Sequence, residues 1–196
     1  MSEDTKEKIV EGAYRALVRD GYTRATVKDI ASEAGVAPGL VHYYFDTKEA
    51  LLVAAIEHGC KANMLAARAL EMTDPLAAAH AGFELEKEQL RSARDLYLLV
   101  FDMFGVGLHN PVIGAAVRRY IKDRREEIKL VGSALLSGLP QRPPHSDDAL
   151  SAVIWGAFVG ISLQKLTDAE FDSDAALDAL SDMVFSYLPV PVEKVG

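Results

Sequence analysis

The sequence predicts an all-α protein in which an N-terminal three-helix domain with a helix-turn-helix is followed by a larger helical domain. Three observations carry this. Apolar residues recur at helical spacing along nearly the whole chain, no segment keeps the period-two alternation of a strand, and residues 26–48 have the spacing of two short helices crossing through a tight turn. Apolar residues are 49% and charged residues 26% of the 196, the balance of a chain that buries a core.

Ile9, Val10, Ala13, Tyr14, Leu17 and Val18 form one stripe that ends at Gly21, giving a first helix. Thr26 opens the second: its hydroxyl can cap the first turn while Asp29, three residues on, reaches back to the Thr26 amide. Val27, Ile30, Ala31 and Ala34 fall at i, i+3, i+4 and i+7, and Gly35 suits a left-handed helix terminus. Ala37 and Pro38 open the third helix, where proline gives up an amide that has no partner anyway. Val41 and Phe45 then face back toward Ile30 and the small Ala31. That leaves Gly39, Leu40, His42 and Tyr43 pointing away from the local core, the face a DNA major groove would meet.

The run GYTRATVKDIASEAGVAPGLVHYYFDTKEALL, Gly21 to Leu52, resembles the TetR/AcrR family of transcriptional regulators. The resemblance covers Ile9 to about Ile56, and the remainder matches in length and helical character. It implies a DNA-binding set of Thr26, Lys28, Ala37, Pro38, Gly39, Leu40, His42, Tyr43 and Lys48. Thr26, Tyr43 and Lys48 would contact phosphates, and Pro38, Gly39, Leu40 and His42 would lie at base edges. Ala37 stands where the family usually has Ser or Thr, which reduces that contact to an amide. The resemblance further implies a repressor and a homodimer built from the last two helices.

Asp46 or Thr47 can cap a fourth helix that runs to about Met72. Thr73-Asp74-Pro75 restarts the chain as a fifth helix to about Arg91. Asp95 to about Leu108 is the sixth, apolar nearly all round and so expected in the middle of a bundle. After His109-Asn110-Pro111 a seventh runs to about Leu136, and its charged centre, Arg118 to Lys129, reads as a solvated face. Ser137 to His145, with Gly138, Pro140, Pro143 and Pro144, is loop. Ser146 or Asp147 caps an eighth helix to about Leu166, and Ser173 a ninth to Leu188, stopped by Pro189. The functional division is a DNA-binding domain at 1–46 and an effector-binding and dimerisation domain at 47–196.

The eighth helix is unusually apolar, with Gly156 and Gly160 on one face. Val153, Gly156, Gly160, Leu177, Leu180 and Val184 are candidates for a seam shared with a second subunit, the alternative being that these helices complete the intrachain core. Asp102 lies among Tyr97, Phe101, Met103 and Phe104. A buried carboxylate there needs a ligand or an internal partner, unless the position is an exposed edge. Tyr97, Phe101, Asp102, Phe104, Trp155 and Phe158 are the candidate effector residues, Trp155 and Phe158 suiting the core equally well.

Net charge is −8 and pI about 5.1, which argues against DNA binding by bulk electrostatics. Residues 1–50 hold seven Lys/Arg against nine Asp/Glu and the rest fourteen against twenty, so most of the acidity lies outside the helix-turn-helix. A shallow salt dependence should follow. The single Cys60 cannot form an intrachain disulfide and reads as a small buried hydrophobe in a reducing cytosol. The opening residues are too charged for a signal peptide, and the longest uncharged stretch, Ala149 to Gln164, falls short of the ~20 residues that span a bilayer, so a buried helix and no membrane are expected. There is no Gly-x-Ser-x-Gly, phosphate loop or Cys-x-x-Cys, and His42, His58, His80, His109 and His145 are scattered. His58 and Cys60, two apart, diverge on a helix. No cofactor, metal or catalysis is expected.

The sequence therefore predicts a cytoplasmic, homodimeric helix-turn-helix regulator, a repressor released from a palindromic double-stranded DNA operator by a small-molecule effector of unknown identity. The alternatives are a DNA-binding protein of this fold without an effector, and an all-α ligand-binding enzyme.

Overall fold

A computed structural model describes residues 2–68, 74–137, 139, 142–186 and 188, the side chains of 2–3 and 61–68 apart. Among the described residues there are nine α-helices and no strand: α1 (Ser2–Arg24), α2 (Val27–Ala34), α3 (Pro38–Tyr44), α4 (Lys48–Arg68), α5 (Pro75–Ser92), α6 (Arg94–Gly107), α7 (Pro111–Ser137), α8 (Asp147–Thr167) and α9 (Ser173–Phe185). They form two compact units, Met1–Ala69 with Ala93–Ile121, and Leu70–Ser92 with Lys122–Gly196. The first unit takes in more than the three-helix head because α4 and α6 both pack on α1.

Its core joins Ile9, Ala13 and Leu17 of α1, Ile30 and Ala31 of α2, Val41 of α3, Leu51, Leu52 and Ile56 of α4, and Leu96, Leu99 and Met103 of α6. Helix α1 breaks at Gly21, which sits at φ 72° and ψ 163°, and regains one turn to Arg24. Only glycine enters that conformation cheaply. Earlier in α1, a Cβ on Gly12 would stand 2.7 Å from the Ala34 amide nitrogen, so α1 and α2 cross in backbone contact. Thr47, not Asp46, caps α4 by accepting the Ala50 amide at 3.1 Å. The expected end near Met72, and Thr73, lie outside the described residues. Asp74 caps α5 through the amides of Leu76 and Ala77.

Helix α6 departs from expectation. It buries one face, Leu96, Leu99, Val100 and Met103, against its neighbours, while Leu98, Asp102 and Gly105 are exposed. Asp102 is therefore not the buried carboxylate the apolar sequence suggested: it lies off the i, i+3, i+4, i+7 stripe, in water, and accepts the Tyr22 amide at 3.2 Å.

In the second unit α5, α8 and α9 pack on one another around Phe83, Leu90, Ile161, Leu177 and Leu180. Ser146 caps α8 through the Ala149 amide. Helix α9 is capped by Asp172, whose Oδ1 accepts the Ala175 amide at 3.0 Å, while the expected cap Ser173 is buried inside the first turn. It ends at Phe185, short of Leu188, where the Ser186 hydroxyl donates to the Met183 carbonyl and satisfies a last-turn acceptor. The charged centre of α7 is only partly a solvated face. Arg124, Arg125 and Lys129 are half-buried, and Lys129 pairs with Asp148 at 3.0 Å while Arg125 donates to the Asp148 carbonyl. These bonds, with Ser133 and Arg142 on Asp147, fasten the start of α8 to α7. Gly138 and Pro140 of the intervening loop lie outside the described residues.

The expectation of a buried eighth helix does not hold within one chain. Only Ser151, Ile161 and Ser162 of α8 are buried, because α5 and α9 cover one side of it.

Candidate nucleic-acid interface

The helix-turn-helix is fixed from both ends of α2. The Asp29 amide donates to Thr26 Oγ1 at 3.2 Å and the Thr26 amide to Asp29 Oδ2 at 3.0 Å, a complete capping box. The Thr26 hydroxyl also donates to Asp29 Oδ2 at 2.5 Å. These bonds hold the Asp29 carboxyl below the usual carboxylate range, the hydroxyl contributing most. At the far end Gly35, at φ 66°, closes α2, and the Val36 amide reaches back to the Ala31 carbonyl. Glu33 is then clasped by Arg15 and Arg19 of α1, Arg15 also donating to the Glu33 carbonyl at 2.9 Å. Those arginines serve the fold of the head.

Helix α3 starts at Pro38 with no side-chain cap, because Ala37 has no acceptor to offer. Val41 and Phe45 turn inward and are buried. Consequently Thr26, Lys28, Ala37, Pro38, Gly39, Leu40, His42 and Tyr43 are all exposed, Leu40 at 41% and Tyr43 at 78% of its surface. Tyr43 stands edge-on to Tyr44, ring centres 5.1 Å apart. Such a face combines an aromatic hydroxyl, an imidazole and small residues on a short helix whose other side is locked, as base and phosphate contact requires.

Lys48 differs from the rest of that set. It is half-buried, donates to the Tyr22 carbonyl, and lies over the Tyr22 ring at 4.5 Å. Burial pushes its ammonium pKa down, partly offset by Glu49. The Tyr22 hydroxyl in turn donates to Glu49 Oε1 at 3.1 Å. Sequence reasoning missed Tyr22, whose partners lie in α4 and α6 and leave no local pattern; the one signal was Gly21 before it. It also passed over Arg24, exposed at the end of α1, whose Nε donates to the Asp20 carbonyl.

The candidate effector residues are divided between the units. In the first, Phe101 and Phe104 meet edge to face at 5.7 Å and Phe104 approaches Tyr120 at 6.0 Å, with Tyr97 half-buried on the same helix. In the second, Phe158 packs on Phe83 at 5.4 Å and Trp155 is half-buried. Of the candidate seam, Val153 and Gly156 are exposed and Gly160 and Val184 half-buried. Leu177 and Leu180 are corrected: they are buried in their own chain, on the side of α9 that meets α5 and α8.

Residues 9–55 match the family model described as bacterial regulatory proteins, tetR family. The HTH-type transcriptional regulator TtgR of Pseudomonas putida is 32% identical over 101 residues, covering 52% of this chain and 43% of that one. The first curated relatives are matched over only 19% to 43% of their own length. Among solved structures, a TetR transcription regulator from Haloarcula marismortui superposes with a TM-score of 0.78 at 22% identity, over 94% of this chain and 96% of that one. The Bacillus subtilis regulator FadR in complex with stearoyl-CoA superposes with a TM-score of 0.77 at 14% identity, over 93% and 99%. These superpositions show a shared fold. Residues 9–55 are thus similar to the tetR family of bacterial regulatory proteins, and the helical fold of the chain is one it shares with a solved TetR transcription regulator.

Proposed function

We propose that the protein is a cytoplasmic, homodimeric repressor that binds a palindromic DNA operator and is released from it by a small-molecule effector. The observation that carries the DNA-binding part is the outward face of α3: Leu40, His42 and Tyr43 are exposed on a helix whose inward residues are locked in the core. Residues 1–46 act as the reading head and 47–196 as the effector and dimerisation region. Thr26, Tyr43 and Lys48 meet phosphates, Pro38, Gly39, Leu40 and His42 meet base edges, and Lys28 and the Ala37 amide complete the DNA-binding set. Both donors of Thr26 are engaged by Asp29, so a phosphate must compete with the capping box there.

Dimerisation is supported by an open apolar face in the second unit. Val153, Leu163 and Met183 are 69%, 47% and 62% exposed, and a Cβ on Gly156 or Gly160 would meet nothing within 4 Å. Helix α8 is long and apolar enough to cross a membrane by length and composition. Its Ser151 and Ser162, however, are buried on the side that α5 and α9 cover, the Ser162 hydroxyl donating to the Phe158 carbonyl at 2.7 Å with the Glu86 carboxylate of α5 at 3.5 Å. A seam with a second copy covers the rest of that helix. Effector control is supported by the fold shared with a regulator solved with stearoyl-CoA, and works only if the ligand favours the arrangement that does not fit the operator.

The test is selection of bound sequences from a random DNA pool, followed by mobility shift on the enriched site with and without candidate ligands. An enriched inverted repeat, shifted by a dimer and released by a ligand, is the expected result. Enrichment without release by any compound leaves an effector-independent DNA-binding protein, and no enrichment rejects the reading.

A further inference from the structure

Tyr22 lies at the one point where the break in α1, the start of α4 and the exposed side of α6 meet. Its amide, freed from the helix ladder by the φ of Gly21, donates to Asp102 Oδ2 at 3.2 Å. Its carbonyl accepts from Lys48 Nζ, its ring lies 4.5 Å beneath the same ammonium, and its hydroxyl donates to Glu49 Oε1 at 3.1 Å. One residue therefore grips the first two side chains of α4 and is itself held by one carboxylate of α6. Asp102 also stands where a side chain on residue 21 would go, 3.3 Å from a Cβ built there, so the carboxylate and the glycine fit one another.

We infer that Tyr22 and Asp102 are positioning residues for the DNA contact of Lys48: Asp102 fixes the Tyr22 peptide, and that peptide and its ring seat the Lys48 ammonium. This rests on the proposed role of Lys48 at a phosphate. An ammonium has three donors, so one bond to the Tyr22 carbonyl leaves two for a phosphate oxygen. A lysine already held in place loses less rotamer freedom when DNA binds, and the ring's negative face favours the charged form. Glu49, which accepts the Tyr22 hydroxyl, opposes the lowering of the Lys48 ammonium pKa by burial.

The charge of Asp102 makes the test decisive. Removing a carboxylate strengthens binding to a polyanion if charge alone matters, whereas loss of the seat weakens it. The full-length protein is titrated against a fluorescent duplex of its own selected sequence, with circular dichroism and thermal melts confirming the fold of each variant. Asp102→Ala is expected to weaken binding about two- to tenfold per subunit, the range for one side chain that must be ordered on binding. Asp102→Asn, which keeps an acceptor for the Tyr22 amide, should stay near the parent. In a Lys48→Ala background Asp102→Ala should cost nothing more, because the residue it serves is gone. Tyr22→Leu, which removes the ring, should show the same dependence on Lys48. If Lys48→Ala weakens binding but Asp102→Ala leaves it equal or tighter, or weakens it equally with and without Lys48, the positioning role is wrong and the phosphate contact stands. If Lys48→Ala itself changes neither affinity nor salt slope, the phosphate role of Lys48 fails and the positioning role falls with it.

Discussion

The reading head and the α5–α8–α9 unit use the same kind of helix in opposite ways. In the head most apolar side chains lie inside the chain: Ile9, Leu17, Ile30, Val41 and Leu52 are essentially inaccessible, and what remains outside on α3 is small, polar or aromatic apart from the one aliphatic side chain of Leu40. In the second unit Val153, Leu163 and Met183 stay in water, on helices whose other faces already pack on α5. One region completes its core by itself and shows a partner chemistry. The other shows a partner an unfinished core. The difference teaches that exposed apolar surface and exposed polar surface suit two kinds of interface, the proposed one between copies of the chain and the proposed one with nucleic acid.

The contrast breaks if core positions in the two regions do not behave as described. Leu52→Ala, at a fully buried site, should cost about 2–5 kcal/mol in urea unfolding, while Met183→Ala, at an exposed one, should move chain stability by no more than about 0.5 kcal/mol at concentrations where the protein is monomeric. Equal effects at the two sites would mean that the open face is not open. The next largest effect concerns assembly. A Cβ at Gly156 or Gly160 has open space around it, so with Gly156→Leu and Gly160→Leu the protomer should fold, sediment as a monomer and lose operator affinity about a hundredfold or more as two half-sites cease to act together. A folded double variant that remains dimeric places the seam elsewhere.

Smaller effects sharpen the other side of the comparison. Truncating His42 or Leu40 should change the ranking of operator variants by ~1–3 kcal/mol per lost base contact, read by competition binding. A uniform loss across all sequences would move these residues off the base edges. Smallest is the acid response at the start of α8. The Ser133 hydroxyl and Arg142 hold the Asp147 carboxyl below its ordinary range, so its contribution is full above about pH 4 and disappears as pH falls through the depressed value. Asp147→Asn should therefore lower the melting temperature modestly at pH 7, with the gap to the parent closing as pH drops below about 4. A gap that is constant with pH would show that the carboxylate's charge is not what Ser133 and Arg142 hold.

Most of the helices were legible because caps and stripes are local. Thr26 with Asp29, Gly35, Pro38 and Ser146 each act within a few residues of where they stand, and the structure uses each as read. Asp102 was left open between a ligand, an internal partner and an exposed edge although the signal was present: Leu96, Leu99, Val100 and Met103 trace a stripe that excludes it, but Leu98, Phe101 and Val106 blurred that stripe into a helix apolar all round. Leu177 and Leu180 could not be assigned from sequence, since a leucine packed on its own α5 looks the same as one packed on another subunit. Tyr22 is likewise invisible, as its bonds reach 26, 27 and 80 residues along the chain.

The exposed face of α3 has an evolutionary corollary. Side chains that carry no folding duty can be exchanged with little effect on stability, typically within about 0.5 kcal/mol at surface sites of this kind. Leu40, His42 and Tyr43 are in that position, while Val41 between them is not. The scaffold thus separates the letters that can be rewritten from the ones that hold the page, so, if α3 reads DNA as proposed, a duplicated copy of this gene can drift toward a new site without first losing its fold.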